Sequence, residues 1–170
     1  MGGTLAARAP VEGFFIELVD GSIFEVKGLV HPPGRLVAYP RYVPDPTGDR
    51  VLGDGRAYRK VATWAERAEL LRGPYRSYVL HDPVLDEELC EPPLSHVARV
   101  LDPVRALEGL RYSGDLSGLA YLAVEMAEAI VERAGISWSD VGISGSLLAG
   151  LEGPKSDIDL VFYGLSLIHI

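Results

Sequence analysis

The first half of the chain alternates between short apolar runs and turn residues, a pattern typical of antiparallel strands. Residues 14–30 contain two apolar runs separated by an Asp-Gly pair, which favours a hairpin with a two-residue turn. Residues 35–43 predict a third strand, and Pro40 is expected to end it early or to place it at a sheet edge. Residues 44–55 are rich in Pro, Gly and Asp and predict a loop.

The middle of the chain mixes helical and extended patterns. Residues 57–74 carry apolar residues at helical spacing and predict a helix that a Gly-Pro pair ends. Residues 75–80 predict a short strand. Residues 81–93 form an acidic stretch bounded by prolines, which predicts a connector with its charges in solvent.

From residue 95 the pattern becomes helical and then extended. Asp102 is a predicted N-cap, with a proline at the first helical position. Residues 115–135 predict a long helix that a glycine ends. Its expected apolar stripe consists of Leu116, Leu119, Ala123, Met126, Ala127, Ile130 and Ala134. Short strands are predicted at 139–144 and 155–164.

Together these elements predict an α+β protein in two parts. A β-rich N-terminal domain is expected over residues 1–94, followed by helices packed on a small mixed sheet over residues 95–170. The 170 residues are 48% hydrophobic and 24% charged, so a sizeable core can form. The net charge of −8 does not favour nucleic acid through bulk electrostatics, although a local basic patch can still bind it.

Composition excludes several other classes of protein. One cysteine rules out an internal disulfide, and the four histidines do not have zinc-site spacing. No apolar run is long enough for a membrane span and no secretory signal is visible, so we expect a cytoplasmic protein without a membrane partner. The sequence lacks Asn and Gln and is rich in Arg, which indicates a thermophile or a high-GC genome.

The segment GISGSLLAGLEGPKSDIDLVFYG, residues 142–164, carries the chemistry. On a strand, Asp157 and Asp159 would point to the same side while Ile158 and Leu160 point into the core. Neighbouring carboxylates are tolerated if both face water or if they share a cation, and hard cations such as Mg²⁺ prefer oxygen ligands. The alternative is an edge strand with its polar residues in solvent.

The Gly-Ser pair before these aspartates predicts an anion site. Gly145 allows close approach to the backbone, and Ser146 is the expected N-cap of a short helix whose free amides can bind phosphate. Together with the aspartates, this matches a nucleoside triphosphate with Mg²⁺. An ordinary turn is the alternative, and the sequence contains neither a P-loop nor a dinucleotide-binding fingerprint. A serine-hydrolase elbow lacks its last glycine, because Ser146 occupies that position.

Residues 142–164 resemble the signature of the nucleotidyltransferase superfamily typified by DNA polymerase β: an apolar strand, Gly-Ser, about ten residues, and Asp-apolar-Asp. The resemblance covers residues 138–164 and implies a partial polymerase β-like core. It implies that Gly145 and Ser146 hold the triphosphate, ATP for example, and that Asp157 and Asp159 are the catalytic ligands of Mg²⁺. The implied reaction transfers a nucleoside monophosphate to an acceptor hydroxyl by a two-metal mechanism. Nucleic acid, protein and small-molecule acceptors all stay open.

The family usually carries a third carboxylate on a later strand, and the chain offers none after these aspartates. We therefore expect a C-terminally truncated gene with a foreign tail at residues 165–170, which leaves an inactive fragment of an enzyme. The N-terminal part resembles the leading region of archaeal predicted nucleotidyltransferases, in which residues 31–43 either bind the acceptor or serve as a scaffold. The alternatives are a non-catalytic nucleotide- or nucleic-acid-binding module and a toxin–antitoxin-type regulatory protein.

Overall fold

The computed structural model describes residues 9–114 and 116–164 as a mixed α+β fold with mainly antiparallel sheets. The strands of these residues are β1 Phe15–Leu18, β2 Ile23–Val26, β3 Ala38–Pro44, β4 Arg50–Val51, β5 Ala57–Lys60, β6 Val79–Asp82, β7 Glu87–Cys90, β8 Val97–Leu101, β9 Val141–Ile143 and β10 Leu160–Phe162. The α-helices are α1 Trp64–Arg72, α2 Pro103–Arg111, α3 Gly118–Ala134 and α4 Gly145–Ala149. The predictions for Asp115 and for residues 165–170 lie outside the described residues.

Six strands form the main sheet in the order β4-β5-β3-β2-β1-β8. The predicted β1–β2 hairpin is confirmed. The prediction of helix from residue 95 onward is wrong for residues 97–101, which form β8 and pair with β1. All four residues of β1 are buried, so its second edge needs a hydrogen-bonding partner, and β8 supplies it.

Pro40 neither ends β3 nor places it at an edge, so that prediction is wrong. β3 continues to Pro44 and lies between β2 and β5. Pairing with β5 begins only at Tyr42. Pro40 has no N–H, but no residue of β5 lies opposite it, so no hydrogen bond between β3 and β5 is lost there.

The β2–β3 register contains a β-bulge next to Pro40. Ile23 of β2 lies opposite Tyr42. The next residue of β2, Phe24, lies opposite Pro40, so Arg41 has no opposing residue. A bulge breaks the alternation of a strand and re-aims the side chain of the extra residue.

Two other segments differ from the sequence predictions. Residues 57–60 form β5 rather than helix, because they extend the sheet beside β3. Helix α1 begins later, at Trp64, where Thr63 and Glu66 form a capping box. Residues 87–90 of the predicted connector form β7, which pairs with β6 in a second hairpin.

Cores cover both faces of the main sheet, and the core on the second face connects the two predicted domains. On one face, Phe14, Ile16, Leu18, Phe24 and Val26 pack with Tyr75, Cys90 and the partly buried Leu70 and Leu71 of α1. On the opposite face, Phe15, Ile23, Tyr42 and Tyr58 pack with Leu148, Ala149 and Leu151. The boundary near residue 94 stays a prediction, but the two parts share a core and a sheet.

The second half of the chain places the Gly-Ser segment on this scaffold. Asp102 caps α2 as predicted, accepting hydrogen bonds from the N–H groups of Val104 and Arg105. The long helix α3 is confirmed, but its buried positions are Ala123, Ala127 and Val131, whereas Met126 of the predicted stripe is exposed. In the described residues, β9 and β10 form an antiparallel pair rather than the mixed sheet predicted.

No helix within the described ranges combines the length and the apolar character needed to cross a lipid bilayer.

Candidate functional site

The Gly-Ser turn follows β9 and brings bare backbone against a carboxylate at the start of β10. Gly145 has a φ of +62°, in the left-handed region that glycine adopts without strain. A Cβ at Gly145 would lie 2.0 Å from Oδ2 of Asp159. The N–H of Ser144 donates to the carbonyl of Asp159 at 2.7 Å and extends the β9–β10 pairing. Two of the four predicted site residues are therefore in direct proximity.

The two aspartates lie on the solvent side of the chain that leads into β10. Asp157 and Asp159 are exposed, while Ile158 and Leu160 are partly buried and pack against the core beneath α3. This alternation is the one expected for an extended segment, although regular strand begins only at Leu160. Both carboxylates can therefore contact a cation while they stay exposed to solvent.

Ser146 has a different environment from the one predicted. Its side chain is buried and its hydroxyl donates to Oγ of Ser156 at 2.9 Å. Oγ of Ser156 in turn accepts from the N–H of Gly153, so Ser146 holds the loop that precedes the aspartates. Its assignment as N-cap was wrong: Ser144 occupies that position, because its backbone is the last extended one before α4.

A hydrogen bond ties the Gly-Ser turn to the N-terminal sheet. Oγ of Ser144 donates to the carbonyl of Gly13, just before β1, at 2.8 Å. Gly13 itself packs against the strand of the aspartates, since a Cβ there would lie 3.2 Å from Cγ1 of Val161. The N-terminal sheet thus forms part of the site.

A cleft of about 470 Å³ lies between the turn and the main sheet, and we call it the central cleft. Ser144, Gly145 and Asp159 line one side of it. The charged residues of the opposite side are Glu12, Glu25, Lys27 and Arg41. Its volume falls within the range of roughly 300–1,000 Å³ typical of small-molecule sites. Asp157 and Ser146 are not among its lining residues.

The lysine of the central cleft is already neutralised. Nζ of Lys27 lies 2.5 Å from Oε1 of Glu25 and 3.2 Å from Oε1 of Glu12. Partial burial favours a lower pKa for Lys27, but the hydrogen bonds and charges of these two carboxylates raise this pKa above its ordinary value. Burial likewise acts against ionisation of Glu12, yet the N–H of Gly28 and Lys27 together lower the pKa of Glu12. The three groups form a cluster of opposite charges.

The arginine of the cleft has no such partner. The guanidinium of Arg41 makes no hydrogen bond or ion pair with any described residue, and its Nε is buried. Buried donors are normally satisfied, and an unsatisfied one costs about 1–3 kcal/mol. Arg41 is therefore a cation that lines the same cleft as Gly145 and Asp159 and has no acceptor among the described residues.

Charges from both sides of the cleft affect the pKa of Tyr42. Tyr42 lies on β3 and is almost completely buried. Burial raises the pKa of Tyr42, the charges of Arg41 and Arg50 act in the opposite direction, and the charge of Asp159 adds to the increase. Asp159 is therefore electrostatically coupled to β3.

The aspartates fit one kind of metal site. Asp159, which lies against Gly145, and the exposed Asp157 could hold Mg²⁺ together with oxygen ligands from phosphate and water. Within residues 9–114 and 116–164, no group of three or more His, Cys, Asp or Glu residues is arranged to hold a metal. The residues present thus fit a cation that arrives with its phosphate ligand, rather than an all-protein metal cage.

Sequence reasoning missed the charged residues on the main-sheet side of the central cleft. Glu25 and Lys27 come from the predicted hairpin and Glu12 from the residues before it. Arg41 lies in residues 31–43, for which acceptor binding and a scaffold role were both left open. One signal was available, because Arg41 is a charged residue within an otherwise apolar and aromatic strand. The bulge that aims it could not be predicted, since it depends on the pairing of β3 with β2.

Comparison with known proteins leaves the function open. No protein-family model matches this sequence, and no solved structure matches it at a significant level. An uncharacterized protein of Methanocaldococcus jannaschii is 32% identical over 157 residues, which is 88% of this chain and 46% of that protein. The chain thus spans about half the length of the curated relative it matches, and the alignment includes parts of both predicted domains.

Proposed function

We propose that this chain binds a nucleoside triphosphate together with Mg²⁺ and forms the nucleotide-binding part of a nucleotidyltransferase with a polymerase β-like core. The observation that carries the proposal is the contact of Gly145 with the carboxylate of Asp159 at the wall of the central cleft. The pair of carboxylates supports metal binding, and the missing side chain of Gly145 lets the carboxylate of Asp159 lie against the turn.

Each site residue then has a separate role. Asp157 and Asp159 would hold Mg²⁺, whose positive charge neutralises the phosphate oxygens during transfer. Gly145 leaves the space beside its backbone to the carboxylate of Asp159. Ser146 supports the loop through Ser156 and acts on the aspartates indirectly. Helix α4 has only five residues, so its dipole alone is a weak anion site.

The reaction proposed for the whole protein is nucleotidyl transfer. The oxygen of an acceptor hydroxyl forms a bond to the α-phosphorus, the bond from that phosphorus to the bridging oxygen breaks, and pyrophosphate leaves with the electron pair. The hydroxyl proton passes to water. The chain contributes by positioning and by charge complementarity, the main sources of catalysis in phosphoryl transfer.

A second candidate is nucleotide binding without turnover. It is favoured by one observation, that no third carboxylate joins Asp157 and Asp159 in the part of the chain that the structure describes. A protein of this kind would bind Mg²⁺ and nucleotide but release no pyrophosphate. Release of pyrophosphate in the presence of nucleic acid, protein or small-molecule hydroxyls would distinguish the enzyme from the binding module.

Thermal unfolding with Mg²⁺ and ATP tests the proposal. A ligand at a hundred times its Kd adds about 2.7 kcal/mol, which raises Tm by about 5–10 °C for a protein of this size. Asp159→Asn should lose most of this increase. Glu152→Gln is the matched control, because it removes an exposed carboxylate from the same loop. Equal stabilisation of wild type and Asp159→Asn would contradict the proposal.

A further inference from the structure

Arg41 is placed in the central cleft by a feature that serves no evident purpose in the sheet. It is the extra residue of the β2–β3 bulge, and no residue of β2 lies opposite it. The bulge puts its side chain beside Glu25 and Lys27, which line the same cleft. Bulges are common next to binding sites, where they redirect a side chain.

The charges in the cleft single out Arg41 among the cations that line it. Lys27 is paired with both Glu12 and Glu25, as shown by its short contacts. Arg67, in the adjoining space, lies 4.0 Å from Glu25 and stacks over two aromatic rings. Arg41 alone among these three has no acceptor in the described residues, and its Nε is buried without one.

The position of Arg41 suits a chain of phosphates. It lines both the central cleft and an adjoining space of about 330 Å³ that extends to Trp64 of α1. A ligand at Arg41 therefore has room on either side. The planar guanidinium matches the geometry of phosphate oxygens and can bind two of them at once.

We infer that the central cleft is a polyphosphate-binding site in which Arg41, supplied by the N-terminal sheet, binds the phosphate oxygens. The inference rests on the proposed function for the identity of the nucleotide, and the contact of Arg41 with phosphate oxygens is separate from metal binding by the aspartates. It gives the N-terminal part a role in substrate binding, distinct from that of a scaffold. Arg41 is a binding residue here, since it holds the ligand opposite Gly145 and Asp159.

Calorimetric titration with inorganic triphosphate tests the inference on the full chain. Arg41→Met should weaken binding by about tenfold or more, because a charge-assisted contact is lost, and Arg41→Lys should retain part of the affinity without two-point contact. Arg72→Met is the matched control: it removes the same charge from an exposed position outside the cleft and should bind as wild type does.

Stability measurements separate binding from folding. Without ligand, Arg41→Met should be at least as stable as wild type, because it removes a buried donor that has no partner among the described residues. If Arg41→Met is poorly folded, Arg41→Lys carries the test. Triphosphate affinity that is unchanged in Arg41→Met, or lost equally in Arg72→Met, would overturn the inference.

The outcome also distinguishes this inference from the proposed function. If Mg²⁺ and ATP bind in a manner that needs Asp159 but not Arg41, the phosphate role of Arg41 is wrong and the proposed function stands. If triphosphate binding needs Arg41 but neither Mg²⁺ nor Asp159 affects ATP binding, the anion site stands and the nucleotidyltransferase proposal fails.

Discussion

Replacing Gly145 by alanine tests the site at its closest contact. The substitution forces alanine into the left-handed region, at a cost of about 1–2 kcal/mol. It also places a Cβ 2.0 Å from Oδ2 of Asp159, whereas separations below 3.0 Å are not tolerated, so the carboxylate has to move. An off-rotamer side chain adds about 0.5–1.5 kcal/mol, which gives a total loss of stability of about 1.5–3.5 kcal/mol.

Gly135→Ala is a control at a glycine with almost the same φ angle. Gly135 ends α3 with a φ of +63°, and no atom lies within 4 Å of the Cβ that would be added. It should therefore lose only the conformational part, about 1–2 kcal/mol. Urea unfolding of the two variants measures both losses, and their difference isolates the contact with Asp159.

Nucleotide binding should separate the two variants more strongly than stability does. Displacement of Asp159 removes a charge-assisted interaction worth about 1.5–3 kcal/mol, so Gly145→Ala should bind Mg²⁺ and ATP about ten to a hundred times more weakly. Gly135→Ala should bind as wild type does. Equal affinities for Gly145→Ala and wild type in a calorimetric titration would refute the reasoning, and an equal loss in Gly135→Ala would indicate a general effect of stability.

Three further predictions concern the scaffold. Burial, followed by the charge and hydrogen bond of Asp82, raises the pKa of Glu91, so its stabilising contribution is complete below the unfolded value of about 4.3 and is lost as pH rises through the folded value. Glu91→Gln should therefore have a higher Tm than wild type at about pH 8 and a similar Tm near pH 4. The exposed Glu88→Gln is the control, and its Tm should equal that of wild type at both pH values. A Tm of Glu91→Gln that is no higher than that of wild type at the higher pH would contradict this prediction. Burial raises the pKa of the Cys90 thiol to about 12, so a thiol reagent should label it only in the unfolded protein, and rapid labelling of the native state would argue against this core. Leu151→Ala should cost about 2–5 kcal/mol in a single unfolding transition, and two separate transitions would disprove a core shared by the two parts.

The parts of the fold that depend on local signals were predictable from the sequence. The β1–β2 hairpin follows from an Asp-Gly turn between apolar runs, and α2 begins where Asp102 can cap it. The order of the Gly-Ser turn and the two aspartates likewise predicted one site that contains all four residues, of which the structure brings Gly145 and Asp159 together. In each case the information lies within one short segment of the chain.

The parts that depend on long-range pairing were not predictable. β8 is a strand because the buried edge of β1 needs a partner, although the local pattern is helical. Residues 57–60 extend the sheet for the same reason. Arg41 reaches the central cleft because a bulge forms between β2 and β3, and the hydroxyl of Ser146 donates a hydrogen bond to Ser156 rather than facing the cleft.

The location of a bound metal–nucleotide complex tests the central claim most directly. Paramagnetic Mn²⁺ with ATP broadens the NMR signals of nearby amides, and a chain of 18.4 kDa is small enough for assignment. The amides of Gly145, Asp157 and Asp159 should broaden at low Mn²⁺, while that of the buried Ala127 in α3 stays sharp, and Asp159→Asn should abolish the effect. Broadening centred elsewhere, or the same pattern in Asp159→Asn, would contradict the account.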